Sequence, residues 1–515
     1  MALLFKMSTK NLGLNTVQDM NNSAFWALLV VAISLAFSAQ VFLHWNGFYS
    51  VSADGCARTL DAYMWTLDEI PKGGFWLPFY EKNPWPPFHR VIVGLSLKLW
   101  PDLFITPRAV NFVFGILSLI SLTWLSYELF KNRHITIVTA FLGSVFSHRV
   151  VLSLVPLAEI MFIFMVVTAM VFFARWLSSR RLLELIISSF FLAFSSTIRY
   201  EGWVFSGCLL LFVFVSSLFS KTKEKGRFIE LITVIVILGS FPAYWIGSYA
   251  IHTGDSFGFV SNTVDRYQLR FGSSLITLVK FNVLVQFLKQ NLDSFNLLGI
   301  VSLLYLLIND KRIGRWVVVP AVALLIMSGV SFFGKALPSH NFWRLSVVWS
   351  ILLVPFTAHW VVMQRRSFLD SKRYSKYFVF LLFLLLFVSF VYQTHRMTEN
   401  SFFSIYDRFS GEYVKERLET SSNAKILIET SNWHYFNVLI ASQHPFSFIC
   451  NSGCDPVQPE EPIIAKEKKI DRAELVDRGV RILIFETQEY KDLLNQDNSF
   501  VKIRDYGYWS IYELK

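Results

Sequence analysis

Apolar residues run almost unbroken over stretches near 24–44, 109–130, 135–148, 160–177, 182–198, 202–220, 228–250, 294–309, 316–334, 343–363 and 377–394, with polar clusters between them. A run of about 20 apolar residues spans the hydrocarbon core of a bilayer, so the pattern predicts about eleven transmembrane helices. Two other stretches differ. "CARTLDAYMWTLDEI" sets Leu60, Tyr63, Met64 and Leu67 at helical spacing, which makes one apolar face only. "NPWPPFHRVIVGLSLKLW", Asn83 to Trp100, is short, opens on prolines and carries His89, Arg90 and Lys98. Counting it as a span would invert every later one. Both are read as juxtamembrane helices in the outer interface, within one long outer loop over 45–107. "ITLVKFNVLVQFLKQ", residues 276–290, is a third candidate.

From about Met397 hydropathy falls and charge rises. Short apolar strands alternate with helical stretches through "AKILIE", "PFSFIC" and "RAELVDRGVRILIFE", and "FVKIRDYGYWSIYELK" closes the chain as a hairpin or paired strands, with "YG" at the turn. The expected fold is therefore a polytopic α-helical membrane region over 1–396 and a small extracytoplasmic α/β domain over 397–515.

Composition agrees with that class. Of 515 residues, 54% are hydrophobic and 17% charged, with 51 Phe and 16 Trp; the mean hydropathy is +0.45. The net charge of +11 resides in short clusters between apolar runs: Lys131/Arg133, Arg180/Arg181, Lys221 to Arg227, Lys311 to Arg315, and Arg365 to Lys376. In the threading above, every cluster falls on the side of the N-terminus. That is the positive-inside distribution, and it removes the need for a nucleic-acid partner. The first span is expected to stay as an anchor, because the residues before it lack the order of a cleavable signal. An odd span count sends the C-terminal domain outside, and a bacterial inner membrane is the expected location. The four cysteines show no metal-type spacing. Cys450 and Cys454 are compatible with a bridge in an oxidising compartment and equally with two free thiols. No phosphate-cradling glycine motif occurs, so a nucleotide site has no support.

The outer face collects the candidate chemistry: Asp54 after the first span, Lys82 with Glu81 in "YEKNPWPP", and Glu159 where a span starts. Arg199, Tyr200 and Glu201 lie between two spans, and His340 and Arg344 at the entrance to a late one. Each has a plain alternative. Asp54 suits a helix cap, Glu159 suits a helix N-terminus, Arg199 can snorkel to headgroups, and Lys82 and His340 suit a solvated loop. Their collection on one face favours a joint role. A sugar on a polyprenyl phosphate reacts at its anomeric carbon. A carboxylate takes the proton of the attacking group, and Arg or Lys holds the leaving phosphate. The lipid tail fixes such a site at the membrane surface.

An ordered series of segments over roughly residues 20–365 resembles the GT-C membrane glycosyltransferases, in particular bacterial relatives of protein O-mannosyltransferases and of the lipid A aminoarabinose transferase. The segments are "SADGCAR", "YEKNPWPPFHRVIVGLSLKLW", "PRAVNFVFGILSLISLTWLSYELF", "SHRVVLSLVPLAE", "STIRYEGW" and "HNFWRLSVVWSILLVPF". The resemblance implies that Asp54 is the general base, Lys82 and Arg344 approach the donor phosphate, Glu159 replaces the second acidic residue and Arg199 a basic one. It also implies inversion at the anomeric carbon. Many members carry Asp-Glu where this chain has Asp54-Gly55, leaving Asp61 as the only nearby substitute. A reaction without metal or cofactor is therefore expected. The partners expected are a polyprenyl-phosphate sugar, membrane lipid and an extracytoplasmic acceptor. The competing readings are a glycan polymerase or ligase with a lipid-diphosphate donor, which usually has its main outer loop late in the chain, and a transporter, which buries charge at mid-bilayer.

Overall fold

The computed structural model describes residues 21–50, 52–67, 85–219, 225–261, 282–293, 296–333, 342–369, 402–420, 424–454, 460–465 and 470–515, with six further residues between 384 and 395. The membrane region consists of helices α1 (Asn22–Trp45), α2 (Ala53–Thr66), α3 (Phe88–Leu99), α4 (Ile105–Phe130), α5 (Arg133–Ser144), α6 (Ser147–Leu152), α7 (Glu159–Ser179), α8 (Leu182–Ser196), α9 (Glu201–Leu218), α10 (Lys225–Thr253), α11 (Asn282–Asp293), α12 (Leu297–Asn309), α13 (Lys311–Phe333) and α14 (Phe342–Leu369).

Among the described residues, seven helices are long and apolar enough to cross a membrane, or eight if α11 and α12, bent by 106°, count as one. The expected eleven counted three more. The runs at 135–148 and 182–198 are helices of 12 and 15 residues here, and 377–394 lies almost wholly outside the described residues. The break after α5 has a cause in Arg149. Its fully buried guanidinium donates to the carbonyls of Gly143 and Gly115 at 2.7 Å and of Ser144 at 3.1 Å. A buried cation inside a bilayer must be satisfied by protein groups, and these carbonyls do so.

α2 and α3 form as the one-sided apolar pattern predicts. They pack so closely that a Cβ on Gly94 would lie 2.5 Å from the Trp65 ring and 3.0 Å from the Ala62 carbonyl. α4 and α7 end on Lys131 and Arg180 in left-handed conformation, φ 48° and 54°. A cation at that end favours the helix dipole. Arg180 is thus about 30 Å from Glu159, a helix length away, so the basic clusters and the candidate acids occupy opposite ends of the bundle. The most apolar window of α7 is 83% buried and that of α14 89% buried, against 28% for α1. These two central helices carry Glu159 and Arg344.

The C-terminal part contains α15 (Ile405–Thr420), β1 (Lys425–Ile428), α16 (Tyr435–Ser442), β2 (Phe448–Cys450), α17 (Arg472–Asp477), β3 (Val480–Phe485), α18 (Gln488–Gln496), β4 (Phe500–Tyr506) and β5 (Trp509–Leu514). The sheet order is β2-β1-β3-β5-β4. β1 pairs in parallel with β2 and β3, while β5 runs antiparallel to β3 and β4. The turn between β4 and β5 uses Gly507 at φ 58°, and Cys450 and Cys454 are disulfide-bonded.

The C-terminal part shares a core with the segments that follow α1: Tyr49, Leu60, Val93 and Phe104 pack with Phe403, Phe436, Ile484 and Trp509. Polar contacts tie the two together. The Phe402 amide donates to Ser50 O at 2.9 Å, Arg408 donates to the Tyr49 hydroxyl at 3.0 Å, and the Cys56 thiol donates to Asn437 Oδ1 at 3.1 Å. Asn437 in turn donates to Asp407, a fully buried carboxylate that also accepts from Tyr508, Trp509 and the Ser404 amide. Burial pushes the Asp407 carboxyl up, and these bonds pull against it. Asp407→Asn would turn an amide N–H toward groups that are all donors. We expect a loss of about 1.5–3 kcal/mol, read as cleavage between the two parts of the full-length protein at lower protease concentration. Unchanged resistance would mean that the network contributes little to docking.

Candidate active site at one end of the bundle

Asp54 occupies the first turn of α2. It is not the cap; Ser52 precedes the helix, and no side chain there bonds the free amides. The Asp54 carboxylate instead accepts from Arg344 Nη1 at 2.5 Å. Arg344, in the first turn of α14, also reaches Glu159 Oε1 with Nε and Nη2, both at 2.5 Å. Arg199, in the loop between α8 and α9, donates to the same Glu159 oxygen at 2.5 Å, and to Glu201 Oε1 from Nη2 at 2.6 Å and Nε at 2.9 Å. Three carboxylates and two guanidinium groups from α2, α7, the α8–α9 loop, α9 and α14 thus form one chain of ion pairs. Arg344 and Glu159 are almost fully buried, whereas the Asp54 side chain keeps 38% of its exposure.

Neither plain alternative describes these groups fully. Arg199 does not snorkel: it is 8% exposed. Burial works against its charge, but Glu201 and Glu159 outweigh it and raise its pKa. Glu159 does begin a helix, and its side chain is nevertheless held by two arginines. Asp61 does not complete a pair with Asp54; it lies buried, 4.0 Å from Arg90 of α3. Lys82, Glu81 and His340 lie outside the described residues.

The surrounding packing sets these positions. Gln290 of α11 donates to the Trp343 carbonyl at 2.6 Å and accepts from Ser346 at 2.9 Å, which grips the turn that carries Arg344. Gly202 lets α9 close against the end of α8, since a Cβ there would lie 2.5 Å from both Ser195 C and Ser196 N. Backbone atoms cannot step aside. Gly202→Ala should therefore cost about 1–3 kcal/mol and loosen the Arg199–Glu201 pair, seen as a lower melting temperature of the purified protein. An unchanged melting temperature would show that the first turn of α9 can shift freely. Tyr200 beside Arg199 stacks on Phe259 with centroids 5.1 Å apart, and its hydroxyl accepts from Trp245 at 3.1 Å.

Two further residues, not among the site candidates from the sequence, lie beside these groups. Arg58 follows Asp54 by one helical turn, a spacing that places both on one face of α2. It is 7% exposed and lies 4.4 Å over the Trp85 ring. His89 of α3 is 1% exposed. The i, i+4 relation between Asp54 and Arg58 was the available signal; nothing in the local sequence marks His89.

Among the described residues no group of His, Cys, Asp or Glu is arranged to hold a metal ion. The acids of the site are matched by guanidinium groups, a donor set suited to anions.

No protein-family model and no curated protein matches the chain. Solved structures match its fold. ArnT from Cupriavidus metallidurans bound to undecaprenyl phosphate superposes with a TM-score of 0.61 at 12% identity, covering 96% of this chain and 98% of that one. The Archaeoglobus fulgidus oligosaccharyltransferase in complex with Zn and sulfate gives 0.54 at 13% identity, over 92% and 70%. The archaeal oligosaccharyltransferase AglB from the same organism, in complex with an inhibitory peptide and a dolichol-phosphate, gives 0.51 at 11%, over 90% and 69%. The chain has the GT-C fold.

Proposed function

We propose that this chain of GT-C fold is an integral membrane glycosyltransferase that moves a sugar from a polyprenyl-phosphate carrier to an acceptor outside the membrane. The observation that carries the reading is Arg344 shared between a half-exposed acid, Asp54, and a buried one, Glu159, at the end of the spans. A phosphate arriving there competes with Asp54 for Arg344. As it takes over the guanidinium, it releases the Asp54 carboxylate for the acceptor.

The reaction is a single displacement. The acceptor oxygen or nitrogen forms its bond to the anomeric carbon as the bond from that carbon to the phosphate oxygen breaks. The acceptor proton goes to Asp54, and the electron pair leaves with the polyprenyl phosphate, so the anomeric configuration inverts. Arg344 offsets the charge that develops on the phosphate. Arg199 holds Glu159, and through it the angle of Arg344. Lys82 is assigned to substrate binding on the family resemblance, and His340 on its place in the sequence beside Arg344 at the entrance to a late span. Because guanidinium groups take the part of a Lewis acid, the scheme uses no metal or cofactor. The aromatic group around Tyr200, Phe259 and Trp245 gives the isoprenoid tail an apolar exit beside Arg199.

We place the site and the sheet domain on the extracytoplasmic face of the plasma membrane. The basic clusters at the opposite end and the Cys450–Cys454 bridge support that side. The transporter reading loses ground because the candidate acids gather at one end of the bundle, while the buried Arg149 is held by backbone carbonyls.

Lipid and glycan mass spectrometry of membranes from native and deletion cells tests the proposal. Deletion should accumulate one polyprenyl-phosphate sugar and remove one glycoconjugate. Unchanged lipids and glycans, with altered movement of a solute, would favour a transporter.

A further inference from the structure

Three buried polar atoms close to the ion-pair chain have no hydrogen-bond partner among the described residues: Glu159 Oε2, Arg58 Nε and His89 Nε2. Each belongs to a residue at least nine-tenths buried. Buried polar atoms are normally satisfied, so three in one neighbourhood need an explanation. Their elements converge. α2 packs on α3 through Gly94, the Phe88 amide donates to Thr197 O at 2.9 Å, and Arg199, two residues on, holds the other Glu159 oxygen. Burial lowers the Arg58 guanidinium to about 10, with Glu159 the foremost charge acting against it. Burial and the Arg58 charge hold the His89 imidazole down at about 3, against Glu159. His89 is therefore neutral at pH 7, and either ring nitrogen can carry its proton.

We propose that Glu159 Oε2, Arg58 and His89 form the subsite for the sugar ring of the donor, and that the ring they select is neutral and rich in hydroxyls. This rests on the donor reading above. The chemistry of the set excludes the other candidates. Glu159 Oε2 can only accept, so it repels a phosphate oxygen. Arg58 can only donate, so it repels an ammonium group. A hydroxyl both donates and accepts, and adjacent hydroxyls of one ring satisfy a carboxylate and a guanidinium together. The site then divides the donor, with the phosphate at Arg344 and the sugar on the far side of Glu159.

The test uses the full-length protein in lipid nanodiscs and three kinds of probe: undecaprenyl phosphate, the same carrier bearing glucose, mannose or galactose, and the carrier bearing 4-amino-4-deoxyarabinose. At least one neutral sugar should tighten binding about tenfold over the bare carrier, the net effect of one or two hydrogen bonds. His89→Leu and Arg58→Met should each remove most of that gain and leave the affinity for undecaprenyl phosphate within about twofold. His89→Leu should not lower the melting temperature, because it deletes an unsatisfied buried group. The inference is overturned if no neutral sugar adds affinity, if the amino sugar binds best, or if both variants lose the bare carrier in equal measure. Failure of the native protein to bind any carrier would bring down the donor reading as well.

Discussion

Membranes carrying Asp54→Asn at native abundance will match deletion membranes, with the same polyprenyl-phosphate sugar accumulating and the same glycoconjugate missing. An amide of the same shape still reaches Arg344 but takes no proton, and loss of a general base costs about 10²–10⁴ in rate. The fold should tolerate the change. The Asp54 side chain is 38% exposed, and solvent screening limits such a pair to about 1 kcal/mol or less. The expected signature is therefore lost turnover with an almost unchanged melting temperature. Native-like glycans in Asp54→Asn cells would remove Asp54 from the chemistry.

Glu159→Leu should do the reverse and damage the fold itself. Glu159 is 1% exposed, and one of its oxygens takes three N–H groups from Arg344 and Arg199. Removing it leaves Arg344, almost fully buried, with Asp54 alone. Breaking a buried pair from one side costs about 3–5 kcal/mol, which should appear as a large drop in melting temperature in detergent and in abundance. Adding Arg344→Leu should restore part of the loss, because it removes the stranded charge. Arg199 keeps Glu201 in either case. If the two substitutions lower stability additively, the residues do not act as a pair.

Much of the fold was legible along the chain. Within the described residues the apolar runs became helices, the two short amphipathic stretches became α2 and α3, and the terminal "YG" became a hairpin turn. Hydropathy and periodicity sum over neighbouring residues, so they survive in one dimension. The span count was less secure. Arg149 ends the run at 135–148 by reaching the carbonyl of Gly115, on another helix, which no local sum contains. An ionisable residue at a span end is costly wherever it points, and that marks the candidate acids and arginines in the sequence.

Local composition alone was enough to give a membrane protein with its candidate acids at one end and its basic clusters at the other, because transfer of charge and of apolar surface depends on each segment's own residues. Which charges meet depends on how the helices pack. Asp54, Glu159, Arg199 and Arg344 are separated by tens to hundreds of residues, and the burial of α7 and α14 within the bundle brings them within hydrogen-bond distance. The same packing set Asp61 beside Arg90 and left one oxygen of Glu159, a residue close to Arg58 and His89, without a hydrogen-bond partner among the described residues. Ion pairing falls off over a few ångströms, so it is set by how helices cross.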